Sequence, residues 1–356
     1  MLNRKIDNKI DAHFSNSKKA LFLTGARQVG KTYSIRKYAK RHGLNLIEFN
    51  FLLQPETMDI INGAGDVKEL LLRISAYSRV PLVRSRTSIF FDEVQECPDV
   101  MTWVKALVDE GSYIYALSGS LLGVELKDIR SVPVGYMSEM QVYPMDFEEF
   151  VSAVGVPENV LEAVKKSWSE KTPVDAYIHE KMMQLFQLYI IVGGMPAAVQ
   201  TYMDSNNIQN VVKEQRDIIN LYKKDIARYD QDVRKKLYID EVFDLIPSEL
   251  NAKNKRFILK NLNENIKFSR YENSFIWLKD AGVALPTYSV EVPAAPLMLS
   301  RQRNLFKLFQ SDVGLLAATY ADGIQLRILD DAPDINFGAV YENLVAQELH
   351  CHGFDL

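Results

Sequence analysis

The chain has 356 residues, 47% hydrophobic and 25% charged, with a formal net charge of −4. These values support a sizeable core, suggest two or three domains, and argue against intrinsic disorder. They also exclude a global basic footprint, so any nucleic-acid contact needs a local patch.

Residues 1–19 carry Leu2, Ile6, Ile10 and Phe14 at helical spacing, which predicts a short amphipathic helix beside the next strand. Arg4, at its start, is expected in solvent rather than at a ligand. The same stretch is charged throughout and lacks the apolar core of a signal peptide. No apolar run reaches membrane-spanning length. Cys97 and Cys351 stand far apart, without the pattern of a disulfide framework. The expectation is a cytosolic protein with no membrane partner.

Ala20 to Leu23 predicts a buried strand and Lys31 to Arg41 a helix. Between them Gly25, Ala26, Arg27, Gln28, Val29, Gly30, Lys31 and Thr32 fit G-x-x-x-x-G-K-[ST] at every fixed position, with Tyr33 next. Glycines let the backbone wrap so that successive N–H groups face one phosphate, and the following helix adds its positive end. Lys31 is expected on the β- and γ-phosphates and the Thr32 hydroxyl on Mg²⁺. A plain glycine turn is the alternative; strand, loop and helix together favour ATP or ADP binding.

Leu44 to Phe49 predicts a second strand, and Asp66 to Tyr77 a helix with Val67, Leu70, Leu71 and Ile74 on one face. Thr87 to Glu93 is an apolar strand ending in two acids. Asp92 is expected in the Mg²⁺ shell, and Glu93 as the base that polarises the attacking water. Helix Asp99–Glu110 and strand Ser112–Leu117 follow, the latter ending in Ser118-Gly119-Ser120. Ser120 there is expected to orient the water, with a Ser-Gly turn the alternative. Val134 to Val142 predicts a fifth strand and Phe147 the start of a helix. Strands alternating with helices argue for a parallel α/β sheet.

The segments GARQVGKT, IFFDEVQECPD, LSGSLLG, SVPVGYMSEMQVYPMDFEEF, GGMPAAV and YENLVAQEL together resemble the bacterial and archaeal AAA+-like P-loop ATPases with a C-terminal domain of unknown function. The resemblance implies a sheet in which the sensor strand lies between the P-loop and acidic strands. It also implies a helical lid, a winged helix and a restriction-nuclease-like module. Relatives often carry Gly-Arg where this chain has Gly135-Tyr136, which implies slow or partner-dependent turnover, with Arg130 a nearby substitute.

The implied domains are a P-loop core over 1–165, a lid over 166–231, a winged helix over 232–296 and a truncated module over 297–356. In the lid, Gly193-Gly194-Met195-Pro196 resembles an adenine-packing Gly-x-Pro element, with Pro196 on the base; a helix–helix turn is the alternative. Helix Val211–Arg228 carries Lys213, Arg216, Lys223, Lys224 and Arg228, one of which would sense the γ-phosphate unless all are solvated. Helices near 233–246, 255–263 and 270–281 precede the extended ALPTYSVEVP. Between Lys253 and Arg270 six basic residues oppose the single acid Glu264, a candidate DNA face, with a protein partner or an ordinary solvated surface the alternatives. Leu305–Phe309 predicts a strand and Ala339–His350 a helix. The usual nuclease acids would lie beyond Leu356, so nuclease chemistry is not expected. His350-Cys351-His352 cannot converge tetrahedrally on zinc.

The functional expectation is an Mg²⁺-dependent ATPase acting as a nucleotide switch on its C-terminal modules, with DNA and a second copy of the chain as candidate partners. The alternative is an ATP-bound scaffold or DNA-binding regulator with little turnover.

Overall fold

The computed structural model describes residues 2–119, 135–229, 233–252, 257–258, 271–320, 323–329 and 338–354. It divides into two compact units, one over Arg4–Val142 and the other over Tyr143–Leu356 with the first three residues.

The first unit alternates strands and helices. Helix α1 (Lys5–Asn16) leads into β1 (Ala20–Thr24), the phosphate loop and α2 (Lys31–Arg41). Then come β2 (Asn45–Asn50), α3 (Met58–Asn62), α4 (Val67–Tyr77), β3 (Thr87–Asp92), α5 (Asp99–Glu110), β4 (Ile114–Ser118) and β5 (Met137–Gln141). The strands form one parallel sheet in the order β2-β3-β4-β1-β5, with the P-loop strand beside the sensor strand and that strand beside the acidic one. Continuous apolar runs mark the central strands, as expected where both faces are covered. Every residue of β1 and β3 is buried, whereas the edge strand β2 alternates.

Strand alternation sends Ala20 and Phe22 to one face, where Phe49, Phe51, Phe91, Leu117, Leu70, Ile74 and Val104 make a core under α4 and α5. Phe49 and Phe91 stack with ring centroids 5.5 Å apart, and Phe51 and Phe91 at 6.2 Å. Asp66 caps α4 by accepting from the Glu69 amide at 2.8 Å, and Gly111 ends α5 in the left-handed conformation.

The second unit opens with α6 (Phe147–Ala153), α7 (Glu158–Glu170), α8 (Ala176–Val192), α9 (Pro196–Ser205), α10 (Ile208–Tyr229) and α11 (Val233–Asn251). It continues through α12 (Glu272–Asp280), β6 (Ala284–Val290), β7 (Arg301–Gln310), α13 (Val313–Ala318), α14 (Ile324–Leu329) and α15 (Gly338–Cys351). A capping box starts α6: Asp146 accepts from the Glu149 amide at 2.8 Å while Glu149 accepts from the Asp146 amide at 3.3 Å.

The compact division falls at residue 142, whereas residue 165 lies inside α7. The boundary at 296 falls within a hairpin, because β7 pairs antiparallel with β6 from Ala284↔Gln310 to Val290↔Arg301. Sequence spacing placed Leu305–Phe309 in a new module because pairing partners are not encoded by periodicity. Apart from Phe257 and Ile258, which are not helical, the expected helix near 255–263 lies outside the described residues, as do the six basic residues of 253–270.

Candidate nucleotide site

The parallel sheet directs the carboxyl ends of its strands to one edge, where ligands bind in open α/β sheets. The phosphate loop leaves β1 there. Gly25 has φ +133°, and a Cβ on it would lie 2.2 Å from the Val142 carbonyl oxygen, so only glycine fits against the chain leaving β5. Gln28 (φ 68°) and Gly30 (φ 99°) both take positive φ, the kind of backbone from which anion nests are built. Lys31 opens α2 and is 7% exposed. Its Nζ donates to the carbonyls of Gly25 and Ala26, each at 2.9 Å. The loop thus closes around the Lys31 ammonium.

The acidic strand delivers Asp92 to the same edge, 2% exposed. Thr32 Oγ1 donates to Asp92 Oδ2 at 3.0 Å, so the two residues expected to share Mg²⁺ are in contact. Asn50 Nδ2 donates to the same oxygen at 3.0 Å, and the Ser118 hydroxyl donates to Oδ1. Strand register explains both contacts. Asn50 sits opposite Asp92 in the β2–β3 pairing, and Ser118 lies one step beyond the Phe91–Leu117 pair of β3–β4. Burial pushes the Asp92 carboxyl above its ordinary value, the Ser118 and Thr32 hydrogen bonds lower it, and Glu93 raises it further. A buried carboxylate beside a threonine hydroxyl is a hard-oxygen donor set of the kind Mg²⁺ takes, and a cation there would offset the desolvation.

Glu93 follows in the left-handed conformation (φ 57°, ψ 51°), uncommon for a residue with a side chain and costing on the order of 1 kcal/mol. Gln95 Nε2 donates to Glu93 Oε2 at 2.5 Å, which holds the carboxylate in place.

Asn50, Gln95 and Ser118 are site members that sequence reasoning did not select. Of Ser118-Gly119-Ser120, Ser120 lies outside the described residues and Ser118 reaches Asp92. Its signal was present: the last residue of a buried strand points where the strand register sends it. Arg4 corrects an expectation. It is 8% exposed rather than solvated, and its Nη1 donates to the Val29 carbonyl of the loop at 3.0 Å. Tyr33 is 42% exposed on the first turn of α2. At the Gly135-Tyr136 position, Tyr136 lies 5.4 Å beneath Lys105 Nζ; Arg130 lies outside the described residues.

Gly193 to Pro196 forms the turn between α8 and α9, which meet at 119°. The Gly194 amide donates to Asp312 Oδ2 at 2.6 Å, and its carbonyl accepts from the Met145 amide at 2.7 Å. Pro196 occupies the first turn of α9, where a missing N–H costs nothing. In α10, Lys223 pairs with Asp244 at 2.6 Å and Arg216 donates to the Ala318 carbonyl at 3.3 Å.

Residues 17–151 match the family described as an AAA domain, and residues 183–326 match a domain of unknown function (DUF8612). An uncharacterized protein of Methanocaldococcus jannaschii is 26% identical over 287 residues, covering 79% of this chain and 58% of that protein. The chain thus spans little more than half the length of that relative. Among solved structures, the Walker-type ATPase PABY2304 of Pyrococcus abyssi aligns over 90% of this chain and 96% of its own, with a TM-score of 0.51 and 15% identity. The Aeropyrum pernix ORC1 protein in complex with DNA aligns over 94% and 93% with a TM-score of 0.34 and 13% identity. The five-strand parallel order, the loop cradle and the acid-tipped neighbouring strand agree with the AAA-domain match: residues 17–151 have the fold and motifs of an AAA-type P-loop domain, and residues 183–326 resemble a domain of unknown function.

Proposed function

We propose that the chain binds ATP and ADP with Mg²⁺, hydrolyses ATP, and uses the nucleotide state as a switch on its C-terminal unit. The contact of Thr32 with Asp92, made at the mouth of the phosphate loop, carries this reading. Loop amides and Lys31 bind and orient the phosphates; Thr32 and Asp92 hold the metal, which when bound neutralises charge on the β- and γ-phosphates. Glu93, steadied by Gln95, orients the attacking water and accepts its proton at a carboxylate oxygen. Ser118 keeps Asp92 aimed at the metal position.

A second reading, a nucleotide-bound scaffold with little turnover, is favoured by Tyr136, a phenol at the position where many members of the resembling family carry an arginine. The basic stretch from Lys253 to Arg270 supports DNA as partner by charge alone.

Calorimetry and phosphate release test these readings. Lys31→Ala is expected to weaken ATP binding about a hundredfold or more, because a charge-assisted contact to phosphate is lost. Glu93→Gln is expected to bind ATP within about threefold of wild type and to lose roughly 10²-fold or more in turnover. Unchanged binding by Lys31→Ala would sink the site assignment. Binding without turnover, with or without duplex DNA, selects the scaffold. Stimulation by DNA supports that partner, and sizing in ADP and in ATP reports whether copies of the chain associate.

A further inference from the structure

We propose that Arg4 is a positioning residue of the phosphate loop, presetting the Val29–Gly30 peptide for the nucleotide's phosphates. The inference rests on the nucleotide reading above and adds a residue outside the motif. A cap at the start of α1 and two contacts to the helix behind the loop fasten the start of the chain. Asp7 Oδ2 accepts from the Arg4 amide at 3.1 Å and from Lys37 Nζ at 2.6 Å, with the Asp7 and Lys37 side chains 7% and 8% exposed. The Phe14 ring packs on Tyr38 at 4.8 Å between centroids. Arg4 is the member of this group that reaches the loop itself, through the 3.0 Å hydrogen bond to the Val29 carbonyl.

The consequence follows from the rigidity of the peptide unit. In a trans peptide the carbonyl of Val29 and the N–H of Gly30 point in opposite directions. Gly30 sits at φ 99°, where glycine has little intrinsic preference, so this peptide is free to flip unless something holds it. A guanidinium on the carbonyl from the α1 side keeps the Gly30 N–H on the other side, among the loop amides that receive phosphate. A charge-assisted bond to a 0%-exposed carbonyl is strong enough to bias that flip. The loop is thereby ordered before ligand arrives, which removes an ordering cost from binding.

The test is titration of the full chain with Mg²⁺-ADP by calorimetry, with a melting curve for every variant. Arg4→Met is expected to weaken ADP binding about tenfold, and Arg4→Lys, which keeps the charge but loses the fork, about threefold. Lys37→Met removes the Asp7 ion pair and leaves Arg4 in place; it should lower the melting temperature and leave ADP affinity within about twofold. Arg4→Met binding like wild type, or Lys37→Met losing affinity as much as Arg4→Met, overturns the proposal. Should Arg4→Met fail to fold, Arg4→Lys decides: weaker binding at an unchanged melting temperature supports it, and unchanged binding overturns it. Wild-type chain that does not bind ADP removes the nucleotide reading itself. Binding by wild type and Arg4→Met alike removes this inference alone.

Discussion

Two aspartates in separate units invite comparison. Asp92 and Asp312 are 2% and 0% exposed, and burial pushes both carboxyls above their ordinary value, Asp312 to about 6. Their partners differ in kind. Asp312 accepts from main-chain amides, Gly194 at 2.6 Å and Leu315 at 3.0 Å, with Gln347 Nε2 at 3.4 Å. It caps α13 and ties that helix to the α8–α9 turn. A Cβ on Gly193 would lie 2.2 Å from Asp312 Oδ1, so glycine is what lets the turn come this close. Asp92 instead accepts from the tips of side chains, Thr32, Asn50 and Ser118. A hydroxyl can rotate and offer its lone pairs to a cation; a backbone amide cannot. Burial and a raised pKa alone therefore do not mark a functional carboxylate. Exchangeable partners distinguish Asp92, and fixed ones make Asp312 a structural pin.

This contrast can be broken most directly by removing each carboxylate. Asp312→Ala leaves several buried amides without an acceptor and is expected to cost about 3–5 kcal/mol in urea unfolding. Asp92→Ala removes a desolvated charge from the proposed metal site, so its cost is expected below about 1 kcal/mol, with a gain in stability equally consistent. Equal losses in the two variants would erase the distinction.

The pH dependence sharpens it next. Asp312 titrates near about 6 when folded and near ~3.9 when unfolded, so the native chain holds the extra proton between those values. Its contribution to stability is fully present below pH ~4 and is lost as pH rises through about 6, on the order of 3 kcal/mol. Denaturation midpoints of wild type against Asp312→Asn across that window should show this component only in wild type. Asp92 acts in the opposite sense on the ligand. Its raised pKa means that Mg²⁺-dependent ADP affinity should weaken as pH falls, because the protonated acid no longer offers a charged oxygen. The smallest effect is expected at Ser118. Ser118→Ala should leave the melting temperature near wild type and weaken Mg²⁺-dependent ADP binding about threefold, the loss of one aiming hydrogen bond; a loss as large as that of Lys31→Ala would make Ser118 a primary ligand.

Much of the P-loop unit was legible because its signals are local. The spacing of Gly25, Gly30, Lys31 and Thr32 needs no distant partner, and the apolar run ending in Asp92 announces a buried strand with an acid at its tip. Segment boundaries there fell within a few residues, as at Asp99–Glu110. Around Met145 to Phe150, the resemblance to a family stretch has a simple physical basis, a capping box between Asp146 and Glu149. Arg4 was misplaced because a basic residue near a terminus looks solvated until a neighbouring acid and carbonyl are seen. Gly193 to Pro196 carried two meanings in sequence, and the acceptor that shapes the turn, Asp312, lies more than a hundred residues away.

The chain's own order of residues determined the nucleotide loop, the acid-tipped strand and the alternation that makes a parallel sheet, since each depends on spacing within a few turns of backbone. Only the folded arrangement decided which polar groups meet: Ser118 and Asn50 on Asp92, Gln95 on Glu93, Arg4 on the loop, and β7 on β6. Those meetings depend on strand register and on desolvation across the sheet edge, and neither leaves a mark at fixed spacing along the chain.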